Sequence, residues 1–163
     1  MGAALFACAS APVEGAATIE RVGPRLAHPW GMDFISTDQV LVTVRSGGLQ
    51  RINLADGSAA DITGLPKVFA RRQGGMLDVL VDGPHIYLCY SADLGGKSST
   101  AIDRARLEGD ALVERETIFT GNNPARSGHH FGCRLQMAGG YLFASIGDRG
   151  DRDNAQDPAM HAG

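Results

Sequence analysis

An apolar strand led by glycine restarts three times along this chain, as Gly31-Met-Asp-Phe-Ile35, Gly75-Met-Leu-Asp-Val79 and Gly132-Cys-Arg-Leu-Gln136. Each restart is followed by a second run dense in β-branched and aromatic residues: Gln39-Val-Leu-Val-Thr-Val-Arg45, His85-Ile-Tyr-Leu-Cys-Tyr-Ser91 and Tyr141-Leu-Phe-Ala-Ser-Ile-Gly147. Runs of this kind, closed by Gly, Asp, Asn or Pro, read as strands, and helical periodicity is nearly absent. The first two units continue with a third strand, Gly48 to Leu54 and Thr100 to Leu107, and a weaker fourth, Ala59 to Thr63 and Ala111 to Phe119. Asp56-Gly57 and Glu108-Gly109-Asp110 supply the intervening turns. Four antiparallel strands repeated every 45 to 55 residues or so predict an all-β chain built as a β-propeller. A β-sandwich also alternates short strands with turns, but it gives no reason for one motif to restart at blade spacing. The third unit has only two strands, so about two and a half four-stranded blades are present.

The propeller part runs over residues 18–163, and residues 1–17 stand apart from it. Met1 to Pro12 is small and apolar without a basic leader, and reads as an export-signal remnant or a flexible N-terminus. Leu5-Phe-Ala-Cys8 resembles a bacterial lipoprotein cleavage box, in which Cys8 would carry a lipid anchor. Export implies a periplasmic or secreted protein. No run approaches the roughly 20 apolar residues that span a bilayer, so no transmembrane segment is expected. Charged residues make up 20% of the chain, mixed in sign, with a net charge of -3, and there is no basic stripe to track a phosphate backbone. Nucleic acid is therefore not an expected partner. Cys89 and Cys133 sit in apolar strand runs, where cysteine behaves as a small buried hydrophobe, and neither has a metal-binding spacing. A disulfide between them stays open, because the sequence carries no geometry for it.

Four motifs, Pro29-Trp-Gly-Met-Asp-Phe34, Gln73-Gly-Gly-Met-Leu-Asp-Val79, Gly128-His-His-Phe-Gly-Cys-Arg-Leu135 and Ile146-Gly-Asp-Arg-Gly150, follow one another at blade spacing. In that order the chain resembles the glucose and sorbosone dehydrogenase family, most of all its soluble aldose sugar dehydrogenase branch. The resemblance implies a six-bladed propeller that holds pyrroloquinoline quinone (PQQ) and calcium on one end face. There it would oxidise the C1 hydroxyl of aldose sugars and pass electrons to an acceptor that the sequence does not identify. It also implies that later blades supply the cations for the cofactor carboxylates and the calcium ligands, beyond residue 163. No metal ligand is expected within this segment, which would hold part of the site.

Oxidation of a hemiacetal carbon needs a base within hydrogen-bond reach of the hydroxyl proton, and histidine suits that task near neutral pH. By motif match His130 falls on the family's general base, and the adjacent His129 is a substrate or cofactor contact. A base with one nitrogen free needs its other nitrogen held by a fixed acceptor, and Asp148, ending the second strand of the same blade, is the candidate. Gln73, at the position taken as equivalent to His130 one blade earlier, is expected to contact cofactor or sugar. Trp30 is expected to pack between blades, and Asp148 to Asp157 to form a solvated loop without calcium-hand spacing, while His28, His85 and His161 show no partner pattern in the sequence. The competing reading keeps the propeller but drops catalysis, as a binding module or an inactive truncated chain.

Overall fold

The computed structural model describes residues 17–161. Ten strands form three antiparallel sheets. The first sheet orders β1 (Pro29–Phe34), β2 (Gln39–Val44), β3 (Gly48–Asn53) and β4 (Ala59–Asp61) in sequence. The second does the same with β5 (Met76–Asp82), β6 (His85–Asp93), β7 (Ser98–Glu108) and β8 (Ala111–Thr120). The third is the hairpin of β9 (Gly132–Ala138) and β10 (Tyr141–Ile146). These are two complete propeller blades and half of a third, with the inner strands β1, β5 and β9 side by side. One boundary differs from expectation. The β4 strand stops at Asp61 because the chain then turns to pair with the second blade, where Thr63 N–H donates to Asp110 O and Leu112 N–H to Thr63 O, both at 2.9 Å.

The alternation of apolar residues along these strands buries one core between the first and second blades, around Leu41, Leu49, Met76 and Leu88, and another between the second and third, around Leu77, Ile102, Phe131 and Leu135. Each such side chain contributes roughly 1.5–3 kcal/mol by leaving water. Polar groups join the inner strands as well. Asp33 on β1 accepts from Val81 N on β5 at 2.7 Å, and Asp78 on β5 accepts from Leu135 N on β9 at 2.8 Å. Burial pushes the Asp78 carboxyl above its ordinary value. Cys89 on β6 and Cys133 on β9 are buried and disulfide-bonded, with Cα atoms 5.6 Å apart, so the question left open by the sequence is answered by a covalent link between neighbouring blades.

A register break occurs at the same place in all three hairpins: between Pro29 and Met32, between Met76 and Asp78, and, on β10 opposite Gly132, between Ala144 and Ile146. Bulges bend a strand and re-aim its side chains, and here they turn the segments leading into β1, β5 and β9 toward one end of the blades. The outer faces are less covered. Trp30, Met32 and Phe34 on β1, and Tyr141 and Phe143 on β10, are each more than half exposed.

Candidate active site

The segment preceding β9 carries His129 and His130, and its path is set by the strand that follows. Gly147 N–H donates to Phe131 O at 3.3 Å, which lays the residue after β10 against the histidine loop. The approach is so close that a Cβ on Gly147 would lie 2.2 Å from His130 O, so only glycine fits there. His130 adopts φ 54°, a left-handed backbone that few non-glycine residues take up, and this directs its ring out of the strand.

That ring meets Asp148. His130 Nδ1 lies 2.6 Å from Asp148 Oδ1, and the same oxygen accepts from Gly150 N at 2.8 Å. The Gly150 N–H and then His130 hold the Asp148 carboxyl below the usual carboxylate range. An ionised carboxylate can only accept, so the tautomer of the neutral imidazole that fits this pair carries its proton on Nδ1 and keeps the lone pair on Nε2. The His130 side chain is 52% exposed, against 22% for Asp148, so the ring is open to solvent while its partner is partly sheltered.

Gln73 reaches the same loop from the second blade. Its Oε1 accepts from His130 N at 2.9 Å and its own N–H donates to Gly128 O at 3.1 Å. Strand register corrects its expected equivalence. Met76 occupies the place of Gly132 in the pairing, so Gln73 is the counterpart of His129 and Gly74 that of His130. Gln73 and His130 nevertheless line one depression of about 320 Å³, together with Trp30, Leu77, Phe131 and Gly132. Trp30, expected between blades, lies at this depression beside Leu77 of the second blade and Phe131. It is 57% exposed and forms a wall of that depression.

His129 does not line the depression. The left-handed turn at His130 brings the two imidazoles together instead of to opposite sides, and they stack with centroids 4.5 Å apart. His161, which shows no partner pattern in the sequence, accepts at Nδ1 from Asn122 N at 3.1 Å. The acidic loop forms a short 3-10 turn, Arg152–Ala155, capped by Asp151, with no buried residue.

The sequence reading passed over Arg149. It lies in a turn-like Gly-Asp-Arg-Gly string, yet it is 2% exposed. Its guanidinium sits 3.5 Å over the centre of the Phe131 ring and donates to His129 O and to Ser98 O and Oγ. Burial lowers it to about 10, which leaves it a cation at neutral pH.

The model of the glucose/sorbosone dehydrogenase family matches residues 26–163. The chain belongs to that family. It is 35% identical over 150 residues to aldose sugar dehydrogenase YliI of Escherichia coli K12, covering 85% of this chain and 40% of that protein. A crystal structure of a glucose dehydrogenase superposes with TM-score 0.82 and 32% identity, over 88% of this chain and 45% of its own. The PQQ-bound form of aldose sugar dehydrogenase from Streptomyces coelicolor shares the fold, with TM-score 0.76 and 22% identity over 91% of this chain and 46% of its own. The chain thus spans less than half the length of these relatives.

Membership in the glucose/sorbosone dehydrogenase family raises the question of which groups these residues could hold. A flat apolar wall at Trp30, an amide at Gln73 and an imidazole at His130, around an open depression, suit one edge of a planar quinone. Among the described residues no lysine or arginine lines that depression. Calcium is not matched, because among the described residues no group of three or more His, Cys, Asp or Glu side chains comes together. Among the described residues no helix is long and apolar enough to cross a membrane. The proposed export segment and Cys8 lie outside the described residues.

Proposed function

We propose that these residues form the base-bearing part of a quinoprotein sugar dehydrogenase that oxidises the C1 hydroxyl of aldoses. The observation that carries this reading is the His130–Asp148 pair at 2.6 Å, beside a depression that His130 lines together with Trp30 and Gln73. His130 Nε2 accepts the hydroxyl proton of the sugar as the C1–H bond breaks, and general-base assistance of this kind contributes typically about 10²–10⁴-fold. Asp148 fixes the ring's tautomer and offsets the imidazolium charge that forms. Gln73 holds the backbone of the base through the His130 N–H. PQQ, when bound, would supply the acceptor for the hydride that leaves C1. Gln73, Trp30 and His130 are the residues of this chain that would contact that group. These residues do not specify the electron acceptor.

The same proposal carries an exported location, periplasmic or secreted, with Cys8 as the lipid-bearing residue in the anchored form. The Cys89–Cys133 disulfide supports it, since such bonds persist in oxidising compartments. The test of function is dye reduction by the full-length protein with PQQ, calcium and a panel of aldoses. Saturable dye reduction that requires both PQQ and an aldose upholds the enzyme reading. Sugar binding without electron transfer would favour a recognition module.

A further inference from the structure

We infer that Arg149 is a positioning residue for the base, clamping the backbone of the histidine loop while its neighbour Asp148 clamps the ring. This inference rests on the reading of His130 as the general base. Consecutive residues leaving β10 point in opposite directions. Asp148 reaches the His130 imidazole, and Arg149 turns inward, at φ 59°, beneath the loop. The Arg149 guanidinium ties two elements together: the histidine loop, through His129 O and the face of Phe131, and the start of β7, through Ser98 O and Oγ. The backbone of Arg149 is held in turn, its carbonyl accepting from Ser127 Oγ at 2.8 Å.

This arrangement answers a mechanical need. His130 sits in the left-handed region at φ 54°, which L side chains rarely adopt, and such conformations persist only where the surroundings over-determine them. Gln73 fixes the His130 N–H and Arg149 fixes the carbonyl of the residue before it, which is the other half of the same peptide group. With both ends of the His129–His130 peptide held, the imidazole is presented at one angle. Arginine suits the task because its planar fork can donate in several directions while its face rests on an aromatic ring, which a lysine ammonium cannot do. Around the guanidinium the contacts are carbonyls, a hydroxyl and an aromatic face, so the charge is spent on backbone geometry. The only carboxylate acting on it is that of the adjacent Asp148, which is itself engaged with His130.

The test uses Arg149→Met and Arg149→Lys in the full-length protein, with steady-state kinetics and amide hydrogen exchange measured side by side. The expected result for Arg149→Met is a 10- to 100-fold fall in kcat with KM for the sugar within about threefold, because misplacement of a catalytic group is costly to rate. Exchange should rise selectively over residues 128–131 while β5 and β6 keep their protection. Arg149→Lys should recover part of kcat and part of the protection. Unchanged kcat with unchanged exchange in Arg149→Met would overturn the inference. So would a rise in exchange spread evenly over all blades with activity lost only in proportion to unfolded protein, which marks a structural role alone. If the unaltered protein oxidises no aldose, the reading of the reaction fails and exchange alone decides: selective loss of protection at residues 128–131 upholds the clamp, and unchanged protection there overturns it.

Discussion

His130 Nδ1 and Asp148 Oδ1 lie 2.6 Å apart although 18 residues separate them in the chain, because the β9–β10 hairpin returns the end of its second strand to the start of its first. The pair is therefore a product of one hairpin. Asp148→Asn can place an amide N–H against Nδ1 and so favour the wrong tautomer. We expect kcat to fall by about 10²-fold or more with PQQ binding retained. Because Gly150 N–H and His130 hold its carboxyl below the usual range, Asp148 stays ionised at ordinary carboxylate pKa values and above, and its support is lost only as pH falls through the lowered value. The deficit of Asp148→Asn should accordingly persist from pH 6 to pH 9. A change confined to thermal stability would assign Asp148 to structure.

Gln73→Ala removes the acceptor for His130 N–H, and Gln73→Glu retains one. The loss of a net hydrogen bond amounts to roughly 1 kcal/mol, so Gln73→Ala should lower kcat by about fivefold to tenfold. The glutamate variant should retain more activity than the alanine variant. Equal activity in all three proteins, compared in one assay, would remove Gln73 from the site.

Asp78 is buried between inner strands with its carboxyl pushed up by burial. A raised value in the folded state means that its contribution is fully present below the unfolded carboxylate value of about 3.9 and is lost as pH rises through the folded value. Asp78→Asn retains an acceptor for Leu135 N–H without the buried charge. Denaturant unfolding of both proteins between pH 4 and pH 8 should show the unaltered protein losing ground to Asp78→Asn as pH rises. A constant difference across that range would contradict the account.

The blades were legible because each inner strand announces itself by glycine and an apolar run, and each hairpin is a local matter of alternation and turn residues. His130 and Asp148 were legible for the same reason, since one hairpin joins them. What the sequence concealed lies between blades. Arg149 reads as a charged turn residue, and its burial depends on Ser98 in the second blade and on Phe131. The place of Trp30 beside Gln73 and His130 likewise depends on residues of three blades, next to the bulge after Pro29. The pairing of Cys89 with Cys133 depends on lateral packing of β6 against β9, which no spacing within either strand encodes.

That disulfide gives a further expectation. Replacing both cysteines by serine should lower the unfolding free energy by about 2–5 kcal/mol, the usual effect of removing a native bridge. Denaturant midpoints of the oxidised protein and of the Cys89→Ser/Cys133→Ser variant measure it. Coincident midpoints, or two titratable thiols in the native protein isolated without reductant, would show that the bridge is not formed.

The central claim is that His130 removes the sugar's hydroxyl proton, and the most direct measurement is kcat of His130→Gln beside the unaltered full-length protein, both loaded with PQQ and assayed with a dye acceptor. Glutamine can still hydrogen-bond Asp148 but cannot take up a proton at neutral pH. The account predicts a fall of about 10²-fold or more in kcat with folding and PQQ content unchanged. Turnover within a few fold of the unaltered protein would contradict it.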